Sequence, residues 1–123
     1  MGDVEAMRLA YKIWLDQNGK AFGEGPYDLL QRVERTGSLR RAAEELGMSY
    51  NQAWHLLRTL EGRLGFDLLE RQVGGVSGGG STVTPAAREL MRRYEGFRQE
   101  AREALDKLYA KHFSEEQTDS EKT

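Results

Sequence analysis

Five side chains lie close together in the chain and carry the donors and acceptors that pair with base edges or phosphates: Tyr50, Asn51, Gln52, His55 and Arg58. At helical spacing Ala53, Leu56, Leu57 and Leu60 form a buried stripe, and the five polar residues fall on the outer side. Ser49 precedes them as an N-cap, and Gln52 three residues on completes a capping box. A capped helix with an amide- and imidazole-bearing outer face is suited to reading DNA in a groove.

Other chemistry has no such support. His55 and His112 are the only histidines and there is no cysteine, so no metal site is expected. No serine or threonine stands in a nucleophile-elbow setting. Glu44-Glu45 and Glu115-Glu116 read as solvated faces. The glycine-rich run at 74–80 lacks the Gly-Lys-Ser/Thr of a phosphate-cradling loop. No catalytic residue and no cofactor is expected.

The elements that must position the five residues lie on either side. Leu39, Ala42, Ala43 and Leu46 share one face of a short helix, which Ser38 should cap, and Gly47 supplies the turn. Small Ala43 facing Ala53 lets the two helices cross closely. Residues 38–62 therefore read as a helix-turn-helix. Free N–H groups at the Ser38 end, flanked by Arg40 and Arg41, can meet a phosphate, although both arginines also suit ordinary surface charge. Arg58 can reach the DNA backbone. Arg71 can reach a phosphate or a minor groove, or pair with Glu70 or Asp67. Trp54 is expected in the core. Tyr50 is left open between core stacking and a phosphate contact.

Residues 9–16 alternate as a strand, and Asn18-Gly19 then signals a hairpin returning through 20–22; a frayed arm is the alternative. Gly25-Pro26 opens a helix with Pro26 first, Tyr27, Leu29, Leu30 and Val33 inward, and Gly37 as its end. Residues 68–73, the glycine run and 81–83 read as strand, tip and strand: a wing, with a flexible linker as the alternative. Thr84 caps a last helix and Pro85 starts it. That helix is expected over 85–113, about 43 Å at roughly 1.5 Å per residue. Its stripe of Ala87, Leu90, Met91, Tyr94, Phe97, Ala101, Leu105, Leu108 and Tyr109 is longer than one small domain can cover. Leu90, Tyr94, Phe97, Ala101, Leu105 and Leu108 are thus expected in a homodimer interface, folding back on the same domain being the alternative. Residues 114–123 are acidic and expected to be disordered.

The 123 residues suffice for one domain with a core. No cysteine, no apolar run near ~20 residues and no signal peptide fit a cytoplasmic protein without a membrane partner. Net charge is −2, and the 114–123 tail carries −3 of it, which leaves +1 for the rest. DNA affinity must then come from local placement of cations rather than a global field.

Gly37-Ser38-Leu39, Ala42-Ala43, Gly47-Met48-Ser49-Tyr50 and Ala53-Trp54 resemble the GS(I/L)xxAAxxxGxSYxxAW signature of ModE-type molybdate-responsive regulators. The run from Glu70 to Gly80, followed by Thr84, resembles their ERxxGGxxGGG wing, and the same stretch is more distantly similar to LysR-type regulators. The resemblance covers about residues 26–113. It implies a mainly α fold with a small β component, a winged helix-turn-helix preceded here by an N-terminal β-hairpin and followed by a long C-terminal dimerisation helix. It also implies a homodimer on a palindromic operator in double-stranded DNA. The Ser49-capped helix would enter the major groove, and the wing, with Gly78 and Gly79 near its tip, would touch the flanking backbone. Full-length members carry C-terminal molybdate-binding domains; no such domain is expected in this chain, so molybdate responsiveness does not transfer. The rival expectation is a winged-helix protein–protein adaptor.

Overall fold

The computed structural model describes residues 6–72 and 80–113. The wing tip, with Gly78 and Gly79, and the 114–123 tail lie outside the described residues. The element order is β1 (Leu15–Asp16), β2 (Lys20–Phe22), α1 (Glu24–Thr36), α2 (Leu39–Glu45), α3 (Tyr50–Leu64), β3 (Leu69–Gln72), β4 (Gly80–Val83) and α4 (Pro85–Phe113). Two antiparallel hairpins, β1–β2 and β3–β4, stand among the helices. The chain forms two compact units, one spanning Lys12–Arg93 and one joining the outer part of α4 with the N-terminal residues up to Tyr11.

The core of the larger unit is built as the apolar spacing requires. Phe22, Tyr27, Leu29, Leu30, Val33, Leu39, Ala42, Ala43, Ala53, Leu57, Leu60, Leu68, Val83, Ala87 and Met91 are buried. Gly37 ends α1 at φ 72°, and Gly47 makes the helix-turn-helix turn at φ 72°, where a Cβ would be strained. Ser38 caps α2 by accepting from the Arg41 N–H at 3.1 Å. In the larger unit, Thr84 accepts from the Ala87 N–H at 3.1 Å and donates to the Asp67 carbonyl at 2.7 Å, which ties the start of α4 to the root of the wing.

Four expectations need correction. Only Leu15–Asp16 of residues 9–16 is strand, because the returning strand is three residues long and offers no partner further back. Helix α1 starts at Glu24, so Pro26 is its third residue; its missing N–H falls among the first four, which have no partner within the helix. Helix α3 runs through Gly62 to Leu64, and Gly65 at φ 88° is its C-cap. Leu46 and Leu56 are half-buried rather than core.

In the smaller unit Tyr94 is 1 % exposed. Its ring is already covered by its own chain, and it leaves the set available to a partner. Phe97, Leu108 and Phe113 are 54 %, 51 % and 47 % exposed, while Ala101 and Leu105 are half-buried. The Tyr109 and Phe113 rings stack at 5.2 Å between centroids. Leu90, in the larger unit, is half-buried.

Candidate nucleic-acid interface

Helix α3 is the axis of the site. Its first turn is closed by a full capping box: the Gln52 N–H donates to Ser49 Oγ at 3.0 Å, and the Ser49 N–H donates to Gln52 Oε1 at 2.9 Å. Asn51, Gln52, His55, Arg58 and Thr59 are exposed, and Ala53, Leu57 and Leu60 are buried beneath them. The polar flank is therefore open. Gln52 holds a double position: its amide oxygen is engaged by the cap, and its amide nitrogen is left for another acceptor.

The flank of α3 nearer the wing forms a hollow of about 830 Å³, lined among others by Trp54, Arg58, Glu61, Asp67, Glu70 and Arg71. Trp54 is half-buried here rather than core, with the Arg58 guanidinium 5.4 Å from its ring centroid and the His55 ring edge-on at 5.1 Å. Arg58 also pairs with Glu61 at 3.3 Å. The other Glu61 oxygen accepts from the backbone N–H groups of Leu68 and Leu69, at 2.7 and 3.4 Å. One carboxylate thus seats the wing on the helix.

At the N-terminal end of α3, Tyr50 is half-buried. Its hydroxyl accepts from the Arg71 guanidinium, in place of the Glu70 or Asp67 pairing. The Arg40 guanidinium lies 4.8 Å from the Tyr50 ring centroid. Tyrosine therefore gathers one cation from α2 and one from the wing root beside the start of α3. Arg41 is exposed on α2. The wing is joined to the helix-turn-helix at a second point, where the Ser81 N–H donates to the Gly37 carbonyl at 3.0 Å.

The opposite flank of α3 faces the N-terminal hairpin. A hollow of about 560 Å³ is lined by Asn51, Gln52, His55, Leu56, Thr59, Leu60 and Arg63 of the helix and by Trp14 and Lys20 of the hairpin. Arg63 Nη1 donates to the Lys20 carbonyl at 2.6 Å, and Gln17 Nε2 donates to the Leu64 carbonyl at 3.4 Å. The candidate base readers Asn51, Gln52 and His55 are brought together on this side, whereas Tyr50, Arg40, Arg71 and Arg58 gather on the wing side. Sequence reasoning missed Glu61, Arg63, Trp14 and Lys20. A usable signal was present: residues two apart on a helix point about 200° from one another, so Glu61 and Arg63 had to serve opposite flanks.

Comparison with known proteins agrees with this fold. The model of the bacterial regulatory helix-turn-helix protein, LysR family, matches residues 27–88. The chain is 34 % identical over 106 residues to the molybdenum transport protein ModE of Azotobacter vinelandii, covering 85 % of this chain and 39 % of that protein. It is 31 % identical over 80 residues to the DNA-binding transcriptional dual regulator ModE of Escherichia coli strain K12, covering 65 % and 30 %. It therefore spans well under half the length of these curated relatives. Among solved structures, the CbnR_DBD–DNA complex superposes with a TM-score of 0.56 at 23 % identity, over 70 % of this chain and 93 % of that one. ArgP from Mycobacterium tuberculosis gives 0.51 at 24 % identity, over 69 % and 30 %. The two structural likenesses bear on the fold alone.

Proposed function

Because the chain belongs to the LysR family of bacterial regulatory helix-turn-helix proteins, we propose that it is a sequence-specific, DNA-binding transcriptional regulator acting in the cytoplasm as a homodimer on a palindromic operator. The observation that carries this is the open polar flank of α3, capped at Ser49 and buried only along Ala53, Leu57 and Leu60. Asn51, Gln52 and His55 offer donors and acceptors to base edges; Ser38, Ser49, Tyr50, Arg40, Arg41, Arg58 and Arg71 hold the register on the backbone. Gly78 and Gly79 at the wing tip are assigned a backbone contact on the family resemblance.

The exposed Phe97 and Leu108 favour the dimer. Each apolar side chain of this size gains on the order of 1–2 kcal/mol on burial, and a second copy supplies the same surface in return. Leu90, Ala101 and Leu105 complete that face. Two ModE relatives are named for molybdenum transport and for transcription regulation. A response to molybdate is not carried to this chain, which spans 39 % and 30 % of those two proteins.

The test is selection of bound duplexes from a random pool at ~0.1 M salt, where specific complexes survive. An enriched palindrome is expected, its half-sites separated by about one helical turn. A pool that stays random after repeated rounds would remove sequence-specific recognition. An enriched site without two-fold symmetry would remove the dimeric operator. Weak salt dependence of binding would favour a protein–protein adaptor instead.

A further inference from the structure

A helix about 10–12 Å across lying in a major groove about 12 Å wide has a ridge of phosphates along each side. The wing accounts for one side. Its hollow is charge-compensated: Arg58 and Arg71 share it with Glu61, Asp67 and Glu70. The hollow on the other side is not. Among the described residues Lys20, Arg63 and His55 line it, and no carboxylate does. Nearby Asp16 is engaged in the hairpin turn, accepting from the Gly19 N–H at 3.4 Å.

Lys20 is held at the rim of this hollow. Its backbone carbonyl is gripped by Arg63 from the last turn of α3. Its ammonium stands 5.3 Å from the centroid of the Trp14 ring, and the side chain is exposed. The turn that delivers it is tight, with Asn18 at φ 61° and Gly19 at φ 114°. Asn51, Gln52 and His55 line the same hollow. A base-reading face and a fixed cation thus share one concavity.

From this arrangement we infer that the N-terminal hairpin is a second backbone-contacting arm, in which Lys20 binds a phosphate on the ridge opposite the wing. The inference rests on the reading that α3 enters the major groove, and it gives the protein a contact on each side of the helix.

The test compares the full-length chain with Lys20→Gln, Lys20→Arg and the charge-loss control Arg93→Gln. Fluorescence anisotropy across a salt series would use two labelled duplexes, one recovered from the random pool and one of scrambled sequence. Lys20→Gln is expected to lower the slope of log K against log salt by about 0.9 per protomer and to weaken both duplexes about five-fold per protomer at 0.15 M salt, roughly thirty-fold for a bound dimer. Lys20→Arg should restore the slope, and Arg93→Gln should leave it unchanged. Wild-type binding combined with an unchanged Lys20→Gln slope would overturn the arm while leaving the regulator reading intact. Loss on the recovered duplex alone would make Lys20 a base reader and overturn the phosphate contact. A wild-type chain with no salt-dependent affinity for either duplex would overturn the regulator reading, and the arm with it.

Discussion

The two hairpins that flank α3 are attached to it by opposite chemistry. The wing is held by an acid: the Glu61 side chain, 10 % exposed, accepts from two backbone N–H groups at the start of β3. The N-terminal hairpin is held by a base: Arg63 donates to a backbone carbonyl of β2. The wing is also pinned at Gly37 and Thr84, through strand and helix-cap hydrogen bonds. The N-terminal hairpin adds Gln17, the Trp14 ring laid against Gly23 and the buried side chains of Ala21 and Phe22. The difference teaches that the wing is part of the domain's hydrogen-bonded frame, whereas the first hairpin is joined mostly by side chains, including the buried Phe22.

Substitutions can break that comparison, the largest effect being expected at Glu61. Glu61→Ala leaves part-buried N–H groups of Leu68 and Leu69 without their acceptor, at a cost of about 2–3 kcal/mol in denaturant unfolding. Hydrogen exchange should quicken in β3 and β4 and stay slow in β1 and β2. Equal quickening of both hairpins would refute their independence.

Two glycines come next. A Cβ on Gly80 would stand 2.8 Å from the Gly37 carbonyl oxygen, and a backbone oxygen cannot swing aside. A Cβ on Gly23 would stand 2.6 Å from the Trp14 ring, which can turn. Gly80→Ala should therefore cost about 2 kcal/mol and Gly23→Ala about 1 kcal/mol, by the usual scale of overpacking. The reverse order in thermal melts would show that the first hairpin is the stiffer of the two.

Arg63→Ala follows, at about 1 kcal/mol for a hydrogen bond near the surface. It should loosen β1 and β2 only, read by the same exchange experiment. The smallest effect belongs to Glu45, which touches neither hairpin. Hydrogen bonds from Arg35 and then Arg32 hold its carboxyl below the ordinary carboxylate range. A depressed folded value means that this contribution is present above the unfolded carboxylate's pKa and is lost as pH falls through the folded one. Because Glu45 is solvent-exposed, Glu45→Gln should change the melting temperature by no more than about 1–2 °C near neutrality, with the difference vanishing in acid.

What could be read from the chain follows the range of each interaction. The Ser49–Gln52 box, the turns at Gly37 and Gly47, the Asn18-Gly19 hairpin and the Thr84-Pro85 start were legible because each is decided within a few residues. The bounds of α4 were legible for the same reason. The extended reading of residues 9–14 failed because alternation states only a preference, and a strand needs a partner, which three residues of β2 do not provide. Trp54 was misassigned because its neighbour Ala53 alone faces the interior. The partners of the anchors were harder to read: spacing puts Glu61 and Arg63 on opposite flanks, but Glu61 reaches seven residues ahead and Arg63 forty-three behind. Nothing local marks such pairs.

Glu61 and Arg63 sit two positions apart and pull in opposite directions, so α3 is braced against rolling about its own long axis. The angle at which Asn51, Gln52 and His55 are displayed is set before any encounter. Association then has one less coordinate to freeze, and less of the contact energy is lost to ordering the protein.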